Sequence, residues 1–451
     1  MNEQQKILLA VLITSFVGPF MGSSVNVAVP AMAEDFNLNP DILTWAVTAF
    51  LIGSAAVLLP FGRLADIKGR RKIYLIGLFC VSITTLLGAQ AENFLFLIAV
   101  RFFQGVSMSM IFGTSMALLV SCCVESKRGE YIGMLSACVY GGLSLGPFIG
   151  GFITDYLGWR MIFWCTGLVL AFNFCLLYTV KTEWYGDKHK QFDYWGSLIY
   201  ALMIIVFLYT LSDWTRHQIV HYLPIVVLVL AILFVWEQKR AVSPLIDLSI
   251  FKNTVFTMSN IAALIHYSAT FAFSFVLSLY LQVIRDMDAF TAGSFLLIQP
   301  LVMAFLSPKT GALSDRFSPR LIASIGMAIM MIGLFSFAFL AEFTSLYLIG
   351  LNLAFIGLGF ALFAAPNNNA IMSSVEAKFY GIASSILAVM RLTGQAMSMA
   401  IVTLLLSIFT ANTVGKIYAV HLLSSFKYIF SLFGCLCILA LIASLMRGKR
   451  A

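Results

Sequence analysis

The chain alternates between long apolar stretches and short polar gaps from one end to the other. Twelve stretches of 19 or more residues contain no Asp, Glu, Lys or Arg, and two more are interrupted only by Arg101 and Arg391. About 20 helical residues cross a bilayer core, and a helix satisfies its backbone hydrogen bonds internally, as lipid requires. We therefore predict fourteen membrane-spanning helices, spans 1 to 14, within 7–33, 42–62, 73–91, 93–124, 131–154, 161–180, 194–212, 217–236, 253–284, 289–308, 321–341, 343–375, 379–415 and 428–446.

The composition agrees with an all-α polytopic membrane protein. Hydrophobic residues make up 61% of the chain and charged residues 11%, against about 45–50% and about 25% in a soluble domain. Soluble enzyme folds are therefore excluded, and the polar gaps leave room only for short loops. The first apolar run is too long for a cleavable signal peptide. The eight cysteines have no metal or redox spacing, so we interpret them as packing residues.

The positive charges predict the orientation of the chain. The net charge is +8, but the charges lie in the gaps between spans and indicate topology rather than binding to nucleic acid. With the N-terminus inside, 21 Lys and Arg fall in inner loops and tails and 5 in outer loops. Because cytoplasmic loops carry an excess of Lys and Arg, we expect both termini to be cytoplasmic.

An internal repeat divides the chain. Gly311 and Asp315, after span 10, follow Gly62 and Asp66, after span 2, by 249 residues. A Glu-x-Lys triplet after span 4 also recurs after span 12, at an offset of 251 residues. Spans 1–6 and 9–14 are therefore predicted to be two parallel copies of one six-helix unit, an architecture of transporters. The predicted units are an N-terminal half (1–190), a two-helix insert (191–240) and a C-terminal half (241–451).

Four short motifs lie in the first half in a fixed order. They are V-N-V-A-V-P at 25–30, G-x-L-x-D-x-x-G-R-R after span 2 (Gly62, Asp66, Gly69, Arg70, Arg71), R-x-x-Q-G in span 4 (Arg101, Gln104, Gly105) and G-x-x-x-G-P-x-x-G-G in span 5 (Gly142, Gly146, Pro147, Gly150, Gly151). Together they resemble the major facilitator superfamily and, within it, the fourteen-helix drug–proton antiporters. The resemblance covers the whole chain, and the span 5 motif is the most specific to exporters. It implies a plasma-membrane transporter that uses alternating access.

Two of these motifs predict parts that move. In the loop after span 2, Asp66 can pair with nearby arginines or cap a helix across an inner gate; the alternative is that Arg70 and Arg71 only anchor the topology. In span 5, three glycines spaced by four residues form a smooth stripe that permits close helix packing, and Pro147 favours a bend. The resemblance implies that this stripe faces the other half. The alternative is packing without motion.

Two arginines lie inside spans, where a charge requires a polar partner or a water-filled cavity. For Arg101 the alternative is snorkelling to an interface, while the R-x-x-Q-G match implies a role in proton transfer. For Arg391, cavity lining and structural pairing stay equally open. Neutral polar residues in spans either line the cavity or tie helices together: Gln104, Asn26, Asn260, His266, Gln299 and Gln395.

The chain departs from the branch at one position. The branch usually carries an aspartate in span 1, five residues before the asparagine of its motif, and here that position is Met21. No Asp or Glu lies deep in any span. Because proton coupling normally needs a titrating group, the remaining candidates are His266, Asp155 or an acid close to Arg101.

We therefore expect a secondary active exporter of small amphipathic or hydrophobic compounds, coupled to protons. The alternatives are an uncoupled facilitator or importer, a lipid translocator, and a membrane sensor or intramembrane enzyme. Five scattered histidines give no metal spacing or catalytic pair, so no enzymatic activity, metal or cofactor is expected. The expected partners are a small-molecule substrate, protons and membrane lipids, and the expected state is a monomer.

Overall fold

A computed structural model of the chain describes residues 3–38, 40–122, 128–186, 191–212, 220, 222–246, 248–375, 380–410 and 416–447. Every regular element in these residues is helical, which confirms the predicted all-α fold. The fourteen spans are α1 (Glu3–Phe36), α2 (Pro40–Lys68), α3 (Arg70–Ala89), α4 (Phe94–Cys122), α5 (Arg128–Leu157), α6 (Arg160–Tyr178), α7 (Tyr194–Ser212), α8 (Leu223–Arg240), α9 (Thr254–Ile284), α10 (Ala289–Leu296 continued by Ile298–Arg316), α11 (Pro319–Phe337), α12 (Leu346–Ser373), α13 (Tyr380–Thr410) and α14 (Lys416–Leu445).

Twelve of these helices are long and apolar enough to cross a membrane, by length and composition. The other two belong to the predicted insert. Helix α7 is uncharged and apolar throughout Tyr194–Ser212, whereas α8 carries Glu237, Lys239 and Arg240 near its C-terminus. Both helices are close to the lower limit of the length that crosses a bilayer core.

The same helix pairs pack in both halves. In the first half α1 packs on α5, α2 on α4 and α3 on α6; in the second half α9 packs on α13, α10 on α12 and α11 on α14. This repetition is what two copies of one six-helix unit produce. The exact boundaries at residues 190 and 240 stay a prediction.

The halves meet along two pairs of helices. On one side α5 packs on α10, and on the other α2 packs on α13. We call the end of the molecule opposite the two termini the outer end, following the predicted orientation. At the outer end of the second pair, the hydroxyl of Thr403 donates a 2.7 Å hydrogen bond to that of Thr44. Near the inner end, Gly62 lies close to Ser385 of α13. The space between the halves is therefore bounded on two sides by tightly packed helices.

The insert is joined to both halves through α7. This helix packs on α8, α2 and α13. The hydroxyl of Tyr200 donates to the carbonyl of Ala55 in α2 at 3.1 Å, and the rings of Trp45 and Tyr209 lie 5.8 Å apart. In contrast, α8 buries only Phe234 and Gln238 among its described residues. The insert thus lies outside the repeat but covers the seam between α2 and α13.

Candidate functional site

At the outer end of the molecule the two halves interlock through glycines. A Cβ atom added to Gly151 in α5 would overlap the backbone of Ala289 in α10, and one added to Gly293 in α10 would overlap the carbonyl of Pro147. Only glycine permits such a close approach of two helix backbones. The outer side is therefore closed by direct backbone contact between α5 and α10.

A carboxylate strengthens this outer contact. Asp155, in the last turn of α5, accepts hydrogen bonds from the backbone N–H of Ala289 at 3.2 Å and of Phe290 at 2.6 Å. It therefore caps the N-terminus of α10 from the opposite half. Asp288 caps the same helix from within its own half by accepting from the N–H of Thr291 at 2.6 Å. This hydrogen bond holds the pKa of Asp288 below its usual value.

The resemblance implies that the glycine stripe of α5 faces the other half, but in the structure the stripe packs within its own half. Gly142, Gly146 and Gly150 lie against α1 of the same half, where an added Cβ would overlap Phe16, Phe20 and Ser24. The hydroxyl of Ser24 donates to the carbonyl of Gly146 at 2.9 Å. Spacing by four places these glycines on one face of α5, and that face packs within the half. Of the residues of this motif, Pro147 and Gly151, on an adjacent face, contact α10.

The segment predicted as a loop after span 2 is helical except at Gly69, where α2 joins α3, and it is tied to its own half. Asp66 forms an ion pair with Arg70 at 2.7 Å, which matches the expected arginine pairing. The N-terminus of α3 is capped by Glu183, whose carboxylate accepts from the N–H of Arg71 at 2.8 Å and of Lys72 at 3.0 Å. The sequence motif gave no signal for Glu183, because this residue lies outside the motif.

Gly69 and Asp315 belong to the first and the second copy of this motif. Gly69 adopts a φ of +113°, in the region that favours glycine, and an added Cβ there would meet the side chain of Glu183. The side chain of Asp315, the counterpart of Asp66 in the second half, lies outside the described residues. A gating role for these loops stays a prediction.

Arg101 is buried inside the first half, where it is 1% exposed. Its Nε donates to the carbonyl of Ala46 at 2.7 Å, and its Nη1 donates to Oε1 of Gln104 at 2.6 Å. The guanidinium also lies over the ring of Phe50, 4.7 Å from the centroid. Neutral groups from α2 and α4 thus solvate this cation, and it does not border open space.

The Arg101 network extends to Met21. Gln104 donates from Nε2 to the hydroxyl of Thr85 at 2.7 Å and to the sulfur of Met21 at 3.2 Å. The position where the resembling branch carries an aspartate is therefore in contact with this network. Here a thioether, which is only a weak acceptor, takes the place that a carboxylate would occupy.

Arg391 lies in a different environment, on α13 of the second half. It is partly exposed, and Gly394, about one turn further along α13, packs closely against Tyr267 of α9. Leu387, Arg391 and Gln395 are partly exposed positions that recur every four residues along α13. They therefore share one face of the helix.

His266, next to Tyr267, is enclosed by aromatic rings. Its imidazole is fully buried, stacks on Phe363 with centroids 4.1 Å apart and meets Phe360 edge-on at 4.6 Å. Neither ring nitrogen has a hydrogen-bond partner in the described structure. Its surroundings are thus apolar, and its alternative roles in packing and titration both stay predictions.

The other predicted polar residues are spread over the interior. Asn260 donates to the carbonyl of Phe256 in its own helix at 2.9 Å, and Gln299 donates to the sulfur of Met303 at 2.9 Å. Asn26 is buried, and its Oδ1 has no hydrogen-bond partner in the described structure. In the described part of the chain, no hydrogen bond joins any two of Asn26, Asn260, Gln299 and Gln395. Gln395 shares a helix face with Arg391.

Sequence reasoning missed an open space beside Gly22, because this glycine belongs to none of the motifs. A Cβ added to Gly22, at the middle of α1, would meet nothing within 4 Å. Since α1 is packed by α2, α4, α5, α6, α9 and α10, the open space beside Gly22 lies inside the molecule.

Comparison with known proteins decides the family. The model of the Major Facilitator Superfamily matches residues 11–399. The chain belongs to this superfamily. It is 30% identical over 394 residues to the riboflavin transporter RibZ of Clostridioides difficile, covering 87% of this chain and 86% of that protein. It is 28% identical over 427 residues to the multidrug resistance protein Stp of Mycobacterium tuberculosis, covering 92% and 78%.

A solved structure supports the same fold. A bacterial homologue of the human lysosomal transporter Spinster, in an inward-facing and unoccupied conformation, superposes with a TM-score of 0.73 over 99% of this chain and 97% of that one, at 14% identity. As a member of the superfamily the protein is a multi-pass membrane transporter and not an enzyme. Its substrate is a small molecule.

Proposed function

We propose that the protein exports small amphipathic or hydrophobic compounds across the plasma membrane by alternating access, coupled to protons. Both termini lie in the cytoplasm, and the protein acts as a monomer. The main support for this proposal is the contact between the outer ends of the two halves. It consists of closely packed helix backbones and one capping carboxylate. These contacts can form and separate together when one half moves relative to the other.

Alternating access follows if the halves rock about the central space. When the outer ends separate, Asp155 loses both N–H donors from α10 and meets the outer water. This cap therefore forms and breaks together with the outer contact. Asp155 stays one of the candidate coupling residues indicated by the sequence.

The relatives support export as the direction. Stp is a multidrug resistance protein by name, and the lincomycin resistance protein LmrB of Listeria monocytogenes is 25% identical over 89% of this chain. The span 5 motif resembles that of exporters. By contrast, the absence of a deep acid and the similarity to a riboflavin transporter favour an uncoupled facilitator as the second candidate.

Proteoliposomes with an imposed pH gradient test the two candidates together. An exporter accumulates a fluorescent amphipathic dye against its gradient, and a protonophore abolishes this accumulation. A facilitator equilibrates the dye at the same rate with and without the protonophore. Empty liposomes and liposomes in which a fluorescent phospholipid is followed provide the controls, because movement of the lipid alone would indicate a lipid translocator.

A further inference from the structure

Two arginines lie side by side at the inner end of the second half. The hydroxyl of Ser324 in α11 donates to that of Ser444 in α14 at 2.9 Å. Arg320 comes four residues before Ser324, and Arg447 comes three residues after Ser444. Since α11 begins at the inner end and α14 ends there, each arginine lies about one turn nearer the inner surface than the serine pair. The two positive charges are therefore neighbours.

Arg447 is buried with too few partners for its charge. It is 2% exposed, and its Nη2 donates to Oδ1 of Asn367 in α12 at 2.6 Å. Its Nε and Nη1 are also buried, and they have no hydrogen-bond partner in the described structure. Burial and, after it, the charge of Arg320 lower the pKa of Arg447 to about 10, so the guanidinium is charged at neutral pH. A buried cation is stable only when hydrogen bonds and an opposite charge replace its lost hydration.

The described part of the chain does not supply this opposite charge. Neither Arg320 nor Arg447 forms an ion pair with any described residue, and the acceptor on Asn367 belongs to a neutral amide. Two adjacent cations also repel each other. An anion placed between them would satisfy the orphaned N–H groups and remove the repulsion.

The first half shows how the corresponding corner is satisfied by the chain itself. Arg320 follows Arg71 by 249 residues, the offset of the internal repeat. The chain after α6 brings Glu183 to the first turn of α3, where its carboxylate accepts from the N–H of Arg71 at 2.8 Å. The chain after α14 brings Arg447 to the first turn of α11 instead, and Ser318 does not cap that helix with its side chain. The second corner thus has a cation where the first has an acid.

We propose that the corner formed by Arg320, Arg447 and the first turn of α11 is an anion site, and that its ligand is a phosphate group. The phosphate oxygens accept from Nε and Nη1 of Arg447 and from the guanidinium of Arg320. A phosphate suits this place because its several oxygens can bridge two guanidinium groups. Arg320 is partly exposed, so the corner opens to the surface on its side.

The position of the corner brings it to the level of lipid headgroups. It lies where α11 begins and α14 ends, and basic pockets between helices at this level bind anionic headgroups. Free inorganic phosphate offers the same chemistry, so the experiment includes both sources. The site consists of residues of the second half and does not depend on the proposed export function.

Thermal unfolding of the purified, delipidated full-length protein in detergent provides the test, because a ligand that binds the folded state raises the melting temperature. The probes are dioleoylphosphatidylglycerol, dioleoylphosphatidylcholine as the lipid without net charge, and sodium phosphate against sodium chloride at equal ionic strength. Phosphatidylglycerol is expected to raise the melting temperature of the wild type in a saturable way and phosphatidylcholine to leave it unchanged. A rise with inorganic phosphate as well would identify the free anion as a second source.

Arg447→Gln should weaken the apparent affinity for phosphatidylglycerol by about tenfold or more, since one charge-assisted pairing is lost. Arg320→Gln should weaken it in the same direction and takes the place of the first variant if Arg447→Gln does not fold, as judged by gel filtration. Arg240→Gln is the matched control, because it makes the same change of charge at the exposed end of α8. It should bind like the wild type.

The outcomes separate a built site from general attraction of a basic protein to anions. Saturable stabilisation that is lost in the variants of the corner and kept in Arg240→Gln supports the proposal. Three results overturn it: no stabilisation of the wild type by either phosphate source, equal loss in Arg240→Gln, or undiminished affinity in both Arg447→Gln and Arg320→Gln.

Discussion

Removal of the Asp155 carboxylate should open the outer side of the transporter. This side chain accepts from two backbone N–H groups of α10, and it does so from the opposite half. Two variants separate its contributions. Asp155→Asn keeps an oxygen acceptor and loses the charge, while Asp155→Ala loses the cap altogether.

The size of each effect follows from helix capping. A negative charge at a helix N-terminus contributes about 0.3–1 kcal/mol, and loss of a capping side chain costs about 0.5–2 kcal/mol. These hydrogen bonds exist only while the outer ends are in contact. The full loss of capping free energy therefore shifts the equilibrium from the outer-closed state toward the outer-open state. Asn should raise the outer-open fraction about twofold to fivefold, and Ala by more than Asn.

The accessibility of a cysteine introduced at position 22 measures the outer-open fraction. The added side chain at Gly22 has open space around it, so Gly22→Cys should be tolerated. In a background without the eight native cysteines, the rate of labelling by a membrane-impermeant maleimide from outside measures outer opening. The rate should increase from wild type to Asn to Ala.

The control for this series is Glu342→Gln, which removes an exposed carboxylate in another outer loop. It should label at the wild-type rate. The reasoning is refuted if all four proteins label equally, because the cap would then contribute nothing to closure. An increase in Glu342→Gln as large as in Asp155→Asn would also refute it, since the effect would then depend on net surface charge.

Three further variants test contacts of the described structure. Gly151→Ala should slow transport at least several-fold, because the new methyl group would overlap the backbone of Ala289 and prevent outer closure. Asn367→Leu should lower the melting temperature, because it leaves the buried guanidinium of Arg447 without its 2.6 Å acceptor, at a cost of about 1–3 kcal/mol. Asp66→Asn should reduce transport at normal expression, since a partly exposed ion pair contributes only about 0–1 kcal/mol to stability.

Matched controls accompany these variants. Gly141→Ala places a methyl group 3.8 Å from the ring of Phe16, an ordinary contact, and should transport normally. Asn368→Leu changes the exposed neighbour of Asn367 and should keep the melting temperature in thermal-shift measurements. A fully active Asp66→Asn protein would remove the basis for a gate in that loop.

The number and order of the helices were predictable because each span must satisfy its backbone hydrogen bonds within its own segment when it crosses lipid. Charge-free runs of the right length mark such spans directly, and the motif spacing marks the repeat. Helix facing was less predictable. The glycines at 142, 146 and 150 pack on α1, and spacing by four residues defines a face without naming the helix that covers it. The same limit applies to α7, whose apolar pattern does not indicate that it covers the seam between α2 and α13.

The roles of single residues were the least predictable, because their partners lie far away along the chain. Glu183 caps α3 from 112 positions away, and Asp155 caps α10 from 135 positions away. Both are ordinary acids near helix ends in the sequence. Arg101 and Arg391 are likewise both lone arginines in apolar runs, yet one is fully buried and the other is partly exposed.

The surroundings of Arg101 indicate how the missing acid of α1 bears on substrate charge. Met21 contacts Gln104, so an aspartate there would add a negative charge beside Arg101, inside the first half. Without it, Arg101 is solvated by a carbonyl, an amide and an aromatic ring, and no carboxylate lies at this depth of α1 to pair with a cationic substrate. We therefore expect Met21→Asp to improve competition by a cationic dye relative to a neutral dye of similar size. Unchanged competition by the cation would show that the residue at this position does not act on substrate charge.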